Sequence, residues 1–107
     1  FRYGEALLQL KQPKLAKQKL LELYIQRPQN AEVNDLLART AADLGQLVDA
    51  HIYKANYWLY SGDGDQAARQ LKAVINGPDL SDNDRSRLKE KLEEVRRLDK
   101  AAKEGRT

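Results

Sequence analysis

Cysteine and methionine are both absent from this 107-residue chain, and it contains a single histidine, a single tryptophan and a single phenylalanine. Without cysteine there is no disulfide and no thiolate metal site, a composition that suits the cytoplasm and the bacterial periplasm alike. One histidine cannot supply the paired ligands of an H-E-x-x-H zinc helix, and His51 is followed by Ile52 and Tyr53. No glycine motif of the phosphate-cradling kind is present. Gly62-Asp63-Gly64-Asp65 superficially resembles a calcium loop but lacks the twelve-residue ligand ladder and its terminal bidentate Glu. No apolar run approaches the roughly 20 residues of a membrane-spanning helix. An independent enzyme is therefore not expected, and neither is a metal or cofactor site. A chain that starts at Phe1 and lacks Met is expected to be a piece of a longer polypeptide, with any targeting signal upstream.

What is present is a soluble-protein composition, 41% hydrophobic and 33% charged, which argues for a folded domain rather than a disordered one. The formal net charge of +3 is unevenly placed. Residues 1–84 hold ten Lys and Arg against eleven Asp and Glu, whereas residues 85–107 hold nine against five. A basic tail admits a nucleic-acid module as a rival reading. Acidic residues interrupt the run throughout, so a solvated helix of mixed charge is the reading adopted, without nucleic acid as a partner.

Apolar spacing and breakers predict six helices and no strand. They fall at about 1–11, 13–27, 31–44, 47–61, 65–76 and from Ser81 to about 103. Pro13 suits a first helical turn and Pro28 ends the second segment. Gly45 is placed for a left-handed cap, and Ser61-Gly62 and Asn76-Gly77-Pro78 mark the later stops. Ser81 can cap the last helix, with Asp82 and Asp84 at its positive end. Connections this short make consecutive helices antiparallel neighbours.

The segments repeat. Gly4, Ala38 and Ala55 each sit on a first helix, and a second small residue follows twelve positions later at Ala16, Ala50 and Ala67. Lys11, Gly45 or Gly62 occupies the intervening turn. Small side chains let antiparallel helices approach, and Leu20, Leu23, Leu71 and Val74 fill the space beside them. The pattern resembles the tetratricopeptide repeat, whose period is about 34 residues. The first two matches are offset by 34, but the third by 17, so the 47–61 helix fits both positions of a repeat. The expected fold is all-α: a short right-handed solenoid of stacked hairpins over residues 1–77, closed by a charged capping helix over 78–107. Leu88, Leu92, Val95 and Ala102 are expected to be the apolar stripe of that cap.

The stretch from Leu36 to Ile75, with Ala50-His51, the aromatic Lys54-Ala55-Asn56-Tyr57-Trp58 segment and the Gly62 turn, followed by SRLKEKLEEVRRL, is more particular. It resembles the C-terminal repeat domain of bacterial periplasmic zinc metallopeptidases of the β-barrel assembly-enhancing type. The resemblance implies a protein or peptide partner, a periplasmic setting, and zinc held only by an upstream protease domain. A stand-alone adaptor or co-chaperone domain is the alternative. The repeat's groove-facing positions fall on Asp35, Arg39 and Asp43, joined by Asn56 and Tyr60 if the 47–61 helix faces the groove. Asn56 is expected to pair with a ligand backbone and Arg39 with a carboxylate. His51 is expected to be a packing residue and Trp58 a core residue, with Tyr53, Tyr57 and Tyr60 covering neighbouring helices. The rival for these aromatics is a partly exposed platform for a partner.

Overall fold

The computed structural model describes residues 12–105, which form five α-helices and no strand. The helix expected at 1–11, with Gly4 and Lys11, lies outside the described residues. The five are α1 (Pro13–Gln26), α2 (Ala31–Asp43), α3 (Leu47–Tyr60), α4 (Gly64–Ile75) and α5 (Asp82–Gly105).

Each boundary has a local cause. Pro13 occupies the first turn of α1, where its missing N–H would be unpaired in any case. The Asn30 side chain accepts from the Val33 N–H at 3.0 Å and so caps α2. Gly45, at φ 76°, reverses the chain after α2, and the Gln46 N–H closes onto the Ala41 carbonyl at 2.8 Å. Gly62, at φ 93°, repeats this after α3, with the Asp63 N–H on the Trp58 carbonyl at 2.8 Å. Asp63 then caps α4 through the Gln66 N–H, and Ser81 caps α5 through the Asp84 N–H at 3.1 Å.

Every helix packs on its sequence neighbours, and α3 also meets α5. Consecutive helices run antiparallel. The start of α4 lies against the end of α5, where Asp65 pairs with Lys103. The end of α4 lies against the start of α5, where the Arg85 guanidinium donates to the Ile75 carbonyl. Helices α3 and α5 run in the same direction, so that Asp49 meets Arg87 and, further along, Asn56 meets Lys91.

The apolar interior forms two clusters. Leu20, Val33, Leu36 and Leu37 make the first, flanked by Leu21, Leu23, Tyr24 and Tyr53. Ala55, Ala67, Leu71, Ile75, Leu88, Leu92 and Val95 make the second, flanked by Val48, Ile52, Trp58 and others. Leu88, Leu92 and Val95 thus form the inward stripe of α5, but Ala102 is exposed, because α5 outruns the twelve-residue α4 that covers it. Ala16 and Ala67 are fully buried at helix contacts, while Ala50 is only half-buried.

Helix α3 carries small residues at both Ala50 and Ala55 and is packed on two sides. Ala55 lies in the second cluster against α4 and α5, while Ala50 shares a lining with Ala38 and Ala42 of α2. A helix with neighbours on both sides needs a small residue toward each.

Candidate functional site

On α2, Asp35 and Arg39 are one turn apart and share a side. The Arg39 Nη2 donates to Asp35 Oδ2 at 3.3 Å, and the Lys54 Nζ of α3 donates to Asp35 Oδ1 at 3.0 Å. One carboxylate therefore serves two cations and leaves this edge net positive. The Arg39 side chain is 58% exposed, so most of its guanidinium fork faces solvent.

Between these groups lies a dimple of about 250 Å³. Ala38 and Ala42 of α2 and Ala50 of α3 line its floor, and Asp35, Arg39, His51 and Lys54 form its rim. The alanines allow the two helices to approach and leave a shallow apolar hollow where larger side chains would fill the space. His51 is exposed rather than packed, because its position on α3 points over this hollow and away from both clusters.

An aromatic pair continues the site along α3. The Lys54 Nζ stands 4.5 Å from the Tyr57 ring centroid and 5.7 Å from that of Trp58. The two rings meet edge to face at 5.1 Å, so Tyr57 and Trp58 share a contact although consecutive helical residues diverge by about 100°. Trp58 is half-buried against the second cluster, and its Nε1–H is shielded from solvent without a hydrogen-bond partner among the described residues. Tyr53 does cover a neighbouring helix, its ring edge-on to Tyr24 at 5.9 Å.

The five residues expected at the groove are divided by the fold. Asp35 and Arg39 line the dimple, and Asp43 is exposed further along α2. Asn56 does not offer its amide to a ligand. It is 2% exposed, donates from Nδ2 to Asn34 Oδ1 at 3.0 Å and accepts from Lys91 Nζ at 3.0 Å. Asn34 in turn donates to the Pro28 and Asn30 carbonyls, and Lys91 donates to Glu94 Oε2 at 2.7 Å. This chain of amides ties the α1–α2 turn, α2, α3 and α5 together. Tyr60 lies half-buried on the same flank as Asn56, and burial, with Glu94 beside it, pushes its phenol above the ordinary value.

His51, Lys54 and Ala50 belong to the site although the spacing argument did not place them there. Their signal was a spacing of three and four residues on one side of α3, continued by Tyr57. The same spacing also suits packing, and the sequence reads it so, with Ala50 at a close helix contact, His51 packed and Tyr57 over a neighbouring helix.

Among the described residues no three His, Asp or Glu side chains gather where they could hold a metal ion, and no helix is long and apolar enough to cross a membrane. No protein-family model, curated protein or solved structure matches the chain.

Proposed function

We propose that this chain is a protein-interaction domain of tetratricopeptide type, its hairpins stacked as a short solenoid, that docks a segment of a partner protein across α2 and α3. The observation that carries the reading is the alanine-floored dimple with its charged rim, bordered by the Tyr57–Trp58 pair. A small aliphatic side chain fits the hollow, a partner carboxylate pairs with Arg39 beside it, and the aromatic pair gives flat contact area at low entropic cost. The resemblance of residues 36–75 to the repeat domain of periplasmic zinc peptidases supports the setting: a non-catalytic module that holds a substrate or assembly partner near a protease domain. The stand-alone adaptor remains the alternative, and an H-E-x-x-H motif encoded upstream decides between them.

The site is tested by placing a photo-crosslinking amino acid at His51 and, as a control, at exposed Glu22 of α1. Irradiation in a periplasmic extract should yield adducts from position 51 that Arg39→Ala with Lys54→Ala reduces several-fold. Equal adducts from both positions, or adducts indifferent to the double substitution, would place the partner elsewhere. Trp58 is the only tryptophan, so its emission reports occupancy directly.

A further inference from the structure

We infer that the groove between α4 and α5 is a second docking site, one that takes an extended acidic segment of a partner protein. The groove has a volume of about 600 Å³ and lies away from the α2–α3 dimple. Such a volume is within the roughly 300–1,000 Å³ range of binding clefts. Its α4 wall is low, because Gly64 and Ala68 present almost no side chain. A Cβ at Gly64 would collide with the Asp99 side chain of α5 unless that side chain shifts.

Charge sets the occupant. Lys72 of α4 and Arg96, Lys100 and Lys103 of α5 line the groove, together with Asp65, Asp99 and Glu104. The carboxylates already have cations of their own. Lys103 donates to Asp65 at 3.1 Å and stands 2.9 Å from Asp99, and Lys100 is 4.0 Å from Glu104. Lys72 and Arg96 make no hydrogen bond or ion pair among the described residues, and both are exposed. An incoming carboxylate therefore meets two cations that need not be released from another partner.

Spacing narrows the class further. Arg96 and Lys100 are one helical turn apart, a rise of about 5.4–6 Å. Alternate residues of an extended chain are about 6.7 Å apart and point the same way. A segment with Asp or Glu at alternate positions thus presents its acids in step with this row, one on Arg96 and the next sharing Lys100 with Glu104, while the residue between them faces away. The interspersed carboxylates disfavour a continuous phosphate backbone, which argues for an acidic peptide over a nucleic acid.

The test uses the 107-residue chain and three fluorescein-labelled twelve-residue peptides: alternating Glu-Ser, Gln-Ser and Lys-Ser. Fluorescence anisotropy should show binding of the Glu-Ser peptide alone, weakened at least tenfold by 0.5 M salt. Lys72→Ser with Arg96→Ser should weaken it about tenfold or more, and the charge reversals Lys72→Glu with Arg96→Glu should abolish it. Arg39→Ala should leave it unchanged, which separates this groove from the dimple. Circular dichroism melts confirm that each variant is folded, and both substituted side chains are exposed. Absence of Glu-Ser binding, equal binding by the Ser variant, or tighter binding of a twelve-nucleotide single strand or of anionic vesicles overturns the proposal.

Discussion

A buried side-chain amide that both gives and receives a hydrogen bond has no apolar substitute that leaves its partners satisfied. Asn56→Ala strands the Asn34 oxygen and leaves Lys91 with Glu94 alone. We expect a loss of about 2–3 kcal/mol in urea unfolding, as for a buried polar partner left unpaired. Asn34→Ala added to it should cost much less than the sum of the two, since both cut one network. Simple additivity in that cycle would show that the two amides act independently. The half-buried tyrosines make a second residue-scale prediction. Burial and Glu94 raise the folded-state value of Tyr60, and burial first, then Tyr24 and Asp49, raise that of Tyr53. A raised value means that the folded state prefers the neutral phenol. The contribution is fully present below the unfolded value of 10.0 and is lost as pH rises through the folded values. Stability should therefore fall on the alkaline side, and Tyr60→Phe should flatten that fall, read by thermal melts between pH 9 and 11.5. Site legibility at this scale was partial. Repeat position groups Asp35 with Arg39 in the sequence, and both line the dimple. Asn56 was misread because spacing along one helix does not reveal that Lys91, thirty-five residues on, lies across it.

Helix ends were the most legible feature of the chain. Pro13, Gly45, Gly62 and Ser81 each act through a local constraint, a fixed φ, a left-handed turn or a hydroxyl acceptor, and local constraints survive without tertiary context. The caps at Asn30 and Asp63 follow the same chemistry. Faces were less legible than ends. The Gly64 contact was not visible at all, because an apparent turn glycine becomes a packing glycine only when Asp99 arrives from the far end of α5. Helices α4 and α5 supply a sign-changing prediction from this contact. Gly64→Ala should destabilise by about 1–3 kcal/mol through overpacking. In an Asp99→Gly background, which removes the Asp99 Cβ as well as its carboxylate, the collision is gone, and the same substitution should stabilise by about 0.5–1 kcal/mol through the helix preference of Ala over Gly. A loss of equal size in both backgrounds would mean that Asp99 is not the obstacle.

At the scale of the whole fold, the described residues hold two apolar stores joined along α3. The first is made by α1 and α2, and the second by α3, α4 and α5, where the α3–α5 contact closes a ring that α1 lies outside. Local openings should therefore be graded. Amide exchange by mass spectrometry is expected to be fastest in α1 among the helix interiors and slowest in α3 and α4. Uniform protection across all five helices would indicate a single cooperative unit instead. The all-helical class was legible from periodicity, since short links and 3.6-residue spacing leave few other folds open. The division of the core was not, because it depends on which non-adjacent helices touch, and among the described residues only α3 and α5 do so.

The antiparallel run of α4 and α5 has a mechanical side. A load applied at Gly105 meets the α4–α5 contact at its open end, where Asp65 and Lys103 sit, and peels it one turn at a time. The opposite end of that seam, where Arg85 holds the Ile75 carbonyl, parts last. Tension from the Gln12 side likewise strips α1 from α2 before it reaches α3. Pulled from both ends, the molecule yields by unzipping rather than by shear, at low force and in helix-sized steps. A domain that joins other bodies in series would in this way act as an extensible link, with α3 as its last element to give.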